Sequence, residues 1–550
     1  MKISMLILAA IVASICSLLS TAPFDSGLAS IASISLLVLI AIYAKTSRIA
    51  IVIVFATQLP LWLWLHRWIG DISIFGLVIL GLYLSAWPTL FVYLLRRHYY
   101  NECFRRVSIV IVAPIIWVGL ECLRGIILFE GYPWYLAGTS IVDWNMAQIA
   151  SIGSVWSASF LVVLYGTAFA RYRETSKITW IVLGLVFLVL TIYGASTRKN
   201  VKPYLPIAVV QTNVTPDTKI AWTWEQQQED VEKAIKLTYE AIEKSPQKPH
   251  LIVWPETMLP GGGFSVNQFD FAPWSDVLVP YWYWAQVILS LSEEIDIPIL
   301  IGTQTLLDVK VVEEGTHLRV EHSEQYNSAA LVFPDGLVER YDKIFLTPFG
   351  ERMPYVEHWP ALQEWIRKLS GTAMLFDLDS GKESKSFSIP GFKDGKTQSD
   401  VTFGTPICFE DTVPKVVRDI VWDSGIRKVE LLINLSNDGW FGKANDARLQ
   451  HIREARMRCI ENRTPMLRVA NTGLSCYIDS KGEVTQYALA GNNKAFKQST
   501  EMFTKAMAGF QLPSSRYIGD SVAWVSLIAC ILLVMTTFKK RSKDYDESVS

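Results

Sequence analysis

A disulfide framework, a zinc site and a nucleic-acid footprint are all missing from this sequence. Its seven cysteines are odd in number, contain no CxxC pair and have no partnering histidines, which excludes the first two. Lysine and arginine number 51 against 52 aspartates and glutamates, a formal net charge of -1, so no cationic excess exists to neutralise phosphates. Charge is scarce altogether, at 19% of residues, and no internal repeat or low-complexity segment is found. What the chain has instead is apolar bulk: 51% hydrophobic residues and a mean hydropathy of +0.26 over 550 residues. That length exceeds what one core usually supports and predicts at least two structural units.

The first unit is membrane-like. Seven apolar runs precede residue 200, near 3–22, 28–44, 49–65, 72–95, 107–129, 152–170 and 178–195, and an eighth lies near 522–538. Each approaches the roughly 17 to 25 residues that a helix needs to cross a bilayer. With the N-terminus inside, Lys45, Arg48, Arg96, Arg97, Arg105, Arg106, Arg171, Arg173, Lys177 and Lys539 to Lys543 fall on the inner side, while the short outer loops carry only Arg67. This positive-inside bias predicts both termini in the cytoplasm and residues 197–517 outside it. The expected division is a membrane domain of seven helices (1–196), an outer domain (197–517), and an eighth helix with a cytoplasmic tail (518–550). Glu121 and Arg124, three apart near the outer end of the fifth run, share one helix face. They form either a structural pair or a lipid-headgroup contact.

From residue 203 the texture changes to short β-rich runs, at 207–214, 251–254, 297–303, 328–333, 401–407, 431–435, 466–470 and 475–478. Between several of them lie helical stretches at 224–244, 282–294 and 445–462. In the last, Leu449, Ile452, Met457 and Ile460 fall near helical spacing while Arg453, Glu454 and Arg456 face elsewhere. Alternating strands and helices predict an α/β layered domain of about 310 residues.

Three apolar strands end in a reactive group: LIVWPET in Glu256, ERYDKIFLTPFGE in Lys343 and Glu351, and VTFGTPICFED in Cys408. Singly these are a turn carboxylate, a surface lysine and a packing cysteine. Together they meet the needs of acyl transfer. A cysteine nucleophile must become a thiolate although its free thiol has a pKa of about 8.5. A carboxylate can take that proton and return it to a leaving group. An ammonium, with a backbone N–H, stabilises the oxyanion of the tetrahedral intermediate.

Glu256 in VWPET, Lys343 in YDKIFLTPFGE and Cys408 in PICFED resemble the Glu-Lys-Cys triad of the nitrilase superfamily, in that order. The segments NLSNDGWFG, LQHIREARMRCIEN and RVANTGLS sharpen the likeness. With hydrophobic runs on both sides, the whole chain resembles the bacterial apolipoprotein N-acyltransferases, the membrane-bound branch of that superfamily. The resemblance implies an α-β-β-α sandwich beside a multi-pass helical membrane domain, in a bacterial inner membrane with the catalytic domain on the periplasmic side. It implies a phospholipid acyl donor, a diacylglyceryl apolipoprotein acceptor, and no cofactor or metal. Cys408 would attack the phospholipid ester, Glu256 would act as base, and Lys343 would hold the oxyanion. Glu351 would be a second carboxylate that positions Lys343 or the incoming amine. Phe409 and Glu410 would shape the pocket, and Trp224 would match a substrate-binding tryptophan, with Trp222 competing for that alignment.

The segment 261–284 opens with three glycines and then carries eight aromatic residues. It reads either as a lid able to hinge at the membrane surface or as an ordinary packed insertion. Two other functions compete. A membrane-anchored amidase would use the same triad with water as second nucleophile, and a transporter or scaffold would need no triad at all.

Overall fold

The computed structural model describes residues 2–101, 107–197, 204–214, 222–315, 317–356, 359, 361–362, 364–365, 378–393, 396–490, 493–494, 499–506 and 512–546. Seven helices come first: α1 (Ile3–Leu19), α2 (Gly27–Tyr43), α3 (Ser47–Leu65), α4 (Ile74–Tyr99), α5 (Ile109–Cys122), α6 (Ala150–Ala170) and α7 (Lys177–Ser196). Ser26, Thr46, Ser73, Ser108 and Ser176 each cap a helix by accepting a backbone N–H of its first turn. Among the described residues, five helical stretches are long and apolar enough to cross a membrane: Ser47–Leu65, Ile74–Tyr99, Ile109–Glu130, Asn145–Ala170 and Lys177–Ser196. Ile3–Leu19, Gly27–Tyr43 and Ser521–Thr536 are shorter apolar helices. The chain is a membrane protein, with a bundle of apolar helices that buries one continuous core.

The second half contains β1 (Tyr204–Gln211), α8 (Trp224–Lys244), β2 (Leu251–Val253), α9 (Tyr283–Ile295), β3 (Ile299–Leu307), β4 (Lys310–Glu314), β5 (His317–Glu321), β6 (Glu324–Val332) and β7 (Val338–Asp342). There follow β8 (Ser386–Lys393), β9 (Lys396–Gly404), α10 (Pro414–Val421), β10 (Leu431–Ser436), α11 (Asn445–Asn462), β11 (Met466–Ala470), β12 (Cys476–Ile478), β13 (Val484–Tyr487) and β14 (Ser499–Ala506). The last helix is α12 (Ser521–Asp546).

Two six-stranded sheets result, ordered β14-β1-β2-β3-β6-β7 and β13-β12-β11-β10-β9-β8. Period-2 alternation assigns the faces. On β1, Leu205, Ile207 and Val209 enter the core shared with the second sheet, while Ala208 and Val210 join the core under α8 and α9. Because both faces are covered, these strands read as nearly continuous apolar runs. Helices α10 and α11 cover the second sheet through Val417, Ile420, Ile452 and Ala455. The architecture is the expected α-β-β-α sandwich beside a helical bundle.

The sandwich is fastened to the bundle mainly through α11. Most of its polar residues do not face water: Gln450, Arg453, Glu454, Arg458 and Glu461 are all buried. Glu454 accepts from Tyr135 N and Thr139 Oγ1, and Arg453 donates to Ser20 O and Ser140 O. Helix α6 is broken at Gly153 and Ser154, where Ser154 has φ +62°. The N–H of Val155 and the Ser154 hydroxyl there both donate to Glu461 Oε1, at 2.6 and 2.7 Å. A carboxylate of the sandwich thus satisfies backbone that a helix break in the bundle leaves open. Arg67 reaches Asp446 in a bidentate pair at 2.6 and 2.9 Å.

The aromatic segment 261–284 is largely packed. Phe271 is fully buried among Val266, Leu278 and Leu306, although Phe269 is 88% exposed. Its glycines are not hinges. Gly261 and Gly263 have φ +92° and +75°, and a Cβ on either would lie within 2.5 Å of a backbone oxygen, Pro280 O or Gln304 O. They are needed because two chains pass too closely for any side chain.

Candidate active site

The triad residues lie just beyond the ends of three strands. Glu256 follows β2, Lys343 follows β7, and Cys408 follows β9. Gly302 on β3 permits the first placement: a Cβ there would sit 2.5 Å from Glu256 Cα. Gly302 N donates to Pro255 O and Met258 N to Gly302 O, which locks the Glu256 turn against β3. Cys408 adopts φ +49°, a left-handed conformation that turns the chain sharply at the sulfur.

The structure brings Glu256, Lys343, Glu351 and Cys408 into one buried site. Lys343 Nζ pairs with Glu351 Oε2 at 2.7 Å. Asn327 on β6 donates through Nδ2 to Glu256 Oε1 at 2.9 Å and to Glu351 Oε1 at 3.2 Å, while its carbonyl accepts Lys343 N at 2.8 Å. Thr347 N donates to Glu351 Oε2, so Glu351 is held from three sides. The remaining oxygen of Glu256, Oε2, is buried and accepts no hydrogen bond among the described residues.

Burial dominates the electrostatics. It raises the Glu256 carboxyl above its ordinary range, against the opposing pull of Lys343. It also pushes the Cys408 thiol well up, and the Glu256 charge pushes it further. Burial alone would lower Lys343, but Glu351, Cys408 and Glu256 more than offset it and hold the ammonium above its usual range. Glu351 is held low because Lys343 and the hydrogen bonds outweigh its burial. The site therefore gathers a carboxyl and a thiol, both raised, beside an ammonium held in its charged form.

Glu410 does not line the site as a free group. Its Oε1 accepts Ile344 N at 2.8 Å, Phe345 N at 3.0 Å and Tyr341 OH at 3.0 Å, and its Oε2 accepts Ile407 N at 2.8 Å. It staples the Lys343 turn to the Cys408 turn. Phe409 stacks between the halves, 5.9 Å from Trp134, 6.1 Å from Tyr132 and 6.1 Å from Phe345, with interplanar angles of 14–19°.

Glu121 and Arg124 are buried, and each is engaged separately. Glu121 Oε1 accepts from Trp117 Nε1 and Ala137 N, while Arg124 donates to Trp134 O. Arg124 thus holds the loop that stacks on Phe409. Trp224 packs on Trp284 and Tyr283, at 5.0 and 5.5 Å, on the helix-covered face and makes no hydrogen bond or ring contact with the triad. Trp222 instead donates to Asp230.

Sequence reasoning missed Asn327, and with it Ser436, Asp438, His451 and Arg468, which form a buried polar cluster behind Cys408. Ser436, Asp438, His451 and Arg468 lie in the segments that carried the likeness, NLSNDGWFG, LQHIREARMRCIEN and RVANTGLS; Asn327 carried no signal.

Both parts of the chain match known families. Residues 13–168 match the apolipoprotein N-acyltransferase N-terminal domain, and residues 206–495 match the carbon-nitrogen hydrolase family. An apolipoprotein N-acyltransferase of Geobacter metallireducens is 29% identical over 492 residues, covering 86% of this chain and 82% of its own. One from Aquifex aeolicus is 29% identical over 413 residues, covering 74% and 78%. Apolipoprotein N-acyltransferase 2 of Treponema denticola is 30% identical over 385 residues, covering 65% and 64%. The chain belongs to the carbon-nitrogen hydrolase family, in the membrane-bound branch of the apolipoprotein N-acyltransferases.

Proposed function

We propose that this protein transfers an acyl chain from a phospholipid to the α-amino group of the diacylglyceryl cysteine that begins an apolipoprotein. Cys408 Sγ attacks the ester carbonyl as its proton passes to Glu256 Oε2. Lys343 stabilises the oxyanion, and Glu351 and Asn327 hold Lys343 and Glu256 in place. The intermediate collapses, Glu256 returns the proton to the departing glycerol oxygen, and a lysophospholipid leaves a thioester behind. The acceptor amine then attacks the thioester, gives a proton to Glu256 and expels the Cys408 thiolate, which Glu256 reprotonates. Residues 197–517 would work on the periplasmic side of a bacterial inner membrane, with 1–196 and 518–550 as its membrane part and both termini cytoplasmic.

One observation supports this reading above the others: Glu256 has one oxygen fixed by Asn327 and the other left without a hydrogen bond, in a site where its charge and that of Lys343 both act on Cys408. The competing amidase would use the same groups with water as acceptor. The buried attachment of the sandwich to the bundle favours a substrate drawn from the membrane. Purified protein given a phospholipid with a labelled acyl chain and a diacylglyceryl peptide tests it. Label on the peptide's α-nitrogen supports transfer; label released only as free fatty acid, or cleavage of a small amide instead, sinks it.

A further inference from the structure

Behind Cys408, four polar side chains from four segments close on one another in the interior. Asp411 follows the nucleophile, Asp438 follows β10, His451 sits on α11 and Arg468 on β11, and each is at most 1% exposed. His451 Nε2 lies 2.8 Å from Asp411 Oδ1 and its Nδ1 lies 3.0 Å from Asp438 Oδ1. Arg468 donates to Asp411 Oδ2 at 2.6 Å and to Asp438 at 2.7 and 2.9 Å. Two carboxylates face a guanidinium and an imidazole. Such a cluster is rigid because breaking any pair strands a charge in the interior.

Ser436, the last residue of β10 and fully buried, joins this cluster to the reacting sulfur. Its Oγ lies 3.7 Å from Cys408 Sγ, 3.0 Å from Asp438 Oδ1 and 3.1 Å from Arg468 Nη2. Arginine only donates, so Ser436 accepts from Arg468 and has a single proton left to give. Arg468 already donates to both oxygens of Asp438, which therefore does not depend on that proton. A hydroxyl that accepts from a guanidinium is polarised and becomes a stronger donor.

We propose that Ser436 is a further catalytic residue: its hydroxyl turns from Asp438 to Cys408 Sγ whenever the sulfur carries negative charge. This occurs when the thiolate forms and again when the amine expels it. Asp411, His451, Arg468 and Asp438 are positioning residues that fix the Ser436 oxygen and polarise it. The Ser436 hydroxyl is the hydrogen-bond donor that the structure places on the sulfur. The proposal rests on Cys408 being the nucleophile.

The test is the pH dependence of Cys408 alkylation by iodoacetamide in the full-length protein, read by peptide mass spectrometry, for wild type, Ser436→Ala and Ser436→Gly. A hydrogen bond to a charged group is worth about 10- to 100-fold in equilibrium. Each variant should therefore titrate about one to two pH units higher and acylate about 10- to 100-fold more slowly at pH 7. A merely structural serine would alter yield or Tm and leave the titration in place; a wild-type profile in either variant overturns the proposal. If alkylated Cys408 still supports acyl transfer, the nucleophile assignment itself falls. If alkylation abolishes transfer but both variants titrate like wild type, only the role of Ser436 falls.

Discussion

Asn327 Nδ2 is shared between Glu256 Oε1 and Glu351 Oε1, at 2.9 and 3.2 Å, so one amide fixes both carboxylates of the site. It bridges the two and leaves the second oxygen of Glu256 without a hydrogen bond, which is the oxygen the proposed mechanism assigns to the thiol proton. Replacing Asn327 by Ala should release Glu256 from its aim, and a misplacement of about 1 Å can cost about 10²-fold in rate. Asn327→Asp should be worse, because a third carboxylate raises Glu256 further. Single-turnover acylation rates with a fluorescent phospholipid check both; a wild-type rate in Asn327→Ala contradicts the assigned role.

The base and the cation should fail differently. Glu256→Gln removes the proton acceptor, which is worth about 10²- to 10⁴-fold. It also removes a charge that holds the Cys408 thiol up, so its residual rate should keep climbing to pH 9. Lys343→Ala loses an oxyanion donor, about 2.7–4 kcal/mol, and alkali does not replace the missing charge. In the wild type the raised Glu256 must be ionised to accept the proton, so acylation falls as pH drops through a value above the ordinary carboxylate range. Acylation rates from pH 5 to 9 decide, and equal rescue of both variants would mean that the two roles are misassigned.

Glu410 should govern stability rather than chemistry. Removing it in Glu410→Ala leaves three buried backbone N–H groups unpaired, each costing about 1–3 kcal/mol. Burial raises this carboxyl to about 7, above its unfolded value. Its contribution is therefore complete below the unfolded pKa and is lost as pH rises through about 7. Glu410→Gln, which cannot ionise, should show a flatter Tm profile between pH 5 and 8. A steeper profile would contradict the sign.

The attachment of the two halves should fail at Glu461. Glu461→Ala removes the acceptor for Val155 N and Ser154 Oγ and strands Arg458, its partner at 2.7 Å. Removing one member of a buried pair costs about 3–5 kcal/mol. Thermal unfolding in detergent should show the loss, with Glu461→Gln milder; no change in Tm would contradict the interface.

Orientation is checked at the hairpin of β4 and β5, where Glu313 is exposed. A cysteine placed there should react with an impermeant maleimide in intact spheroplasts. Labelling only after lysis would put the sandwich on the wrong side.

Where residues act locally, the sequence was enough. Periodicity predicted 224–244 and 445–462 as helices and 466–470 as a strand, and the structure has the same bounds. Strands β4, β5, β7, β8, β13 and β14 went unread because they are rich in charged and polar residues and lack a continuous apolar run. That the charges of α11 are buried was not legible, because a sequence cannot show that a second domain covers them. Asn327 was invisible for a related reason. A single Asn in a strand carries no signal until distant segments converge on it, and Ser436 lay in a segment that carried the likeness without a role of its own there.

The most direct test of the whole account is mass spectrometry of purified protein after incubation with phospholipid and no acceptor. The Cys408 peptide should gain one fatty acyl group, lose it to hydroxylamine or to an added diacylglyceryl peptide, and stay unmodified in Cys408→Ser. Acyl transfer that proceeds with Cys408 unmodified, or with the adduct on Cys459 or Cys476, would contradict it.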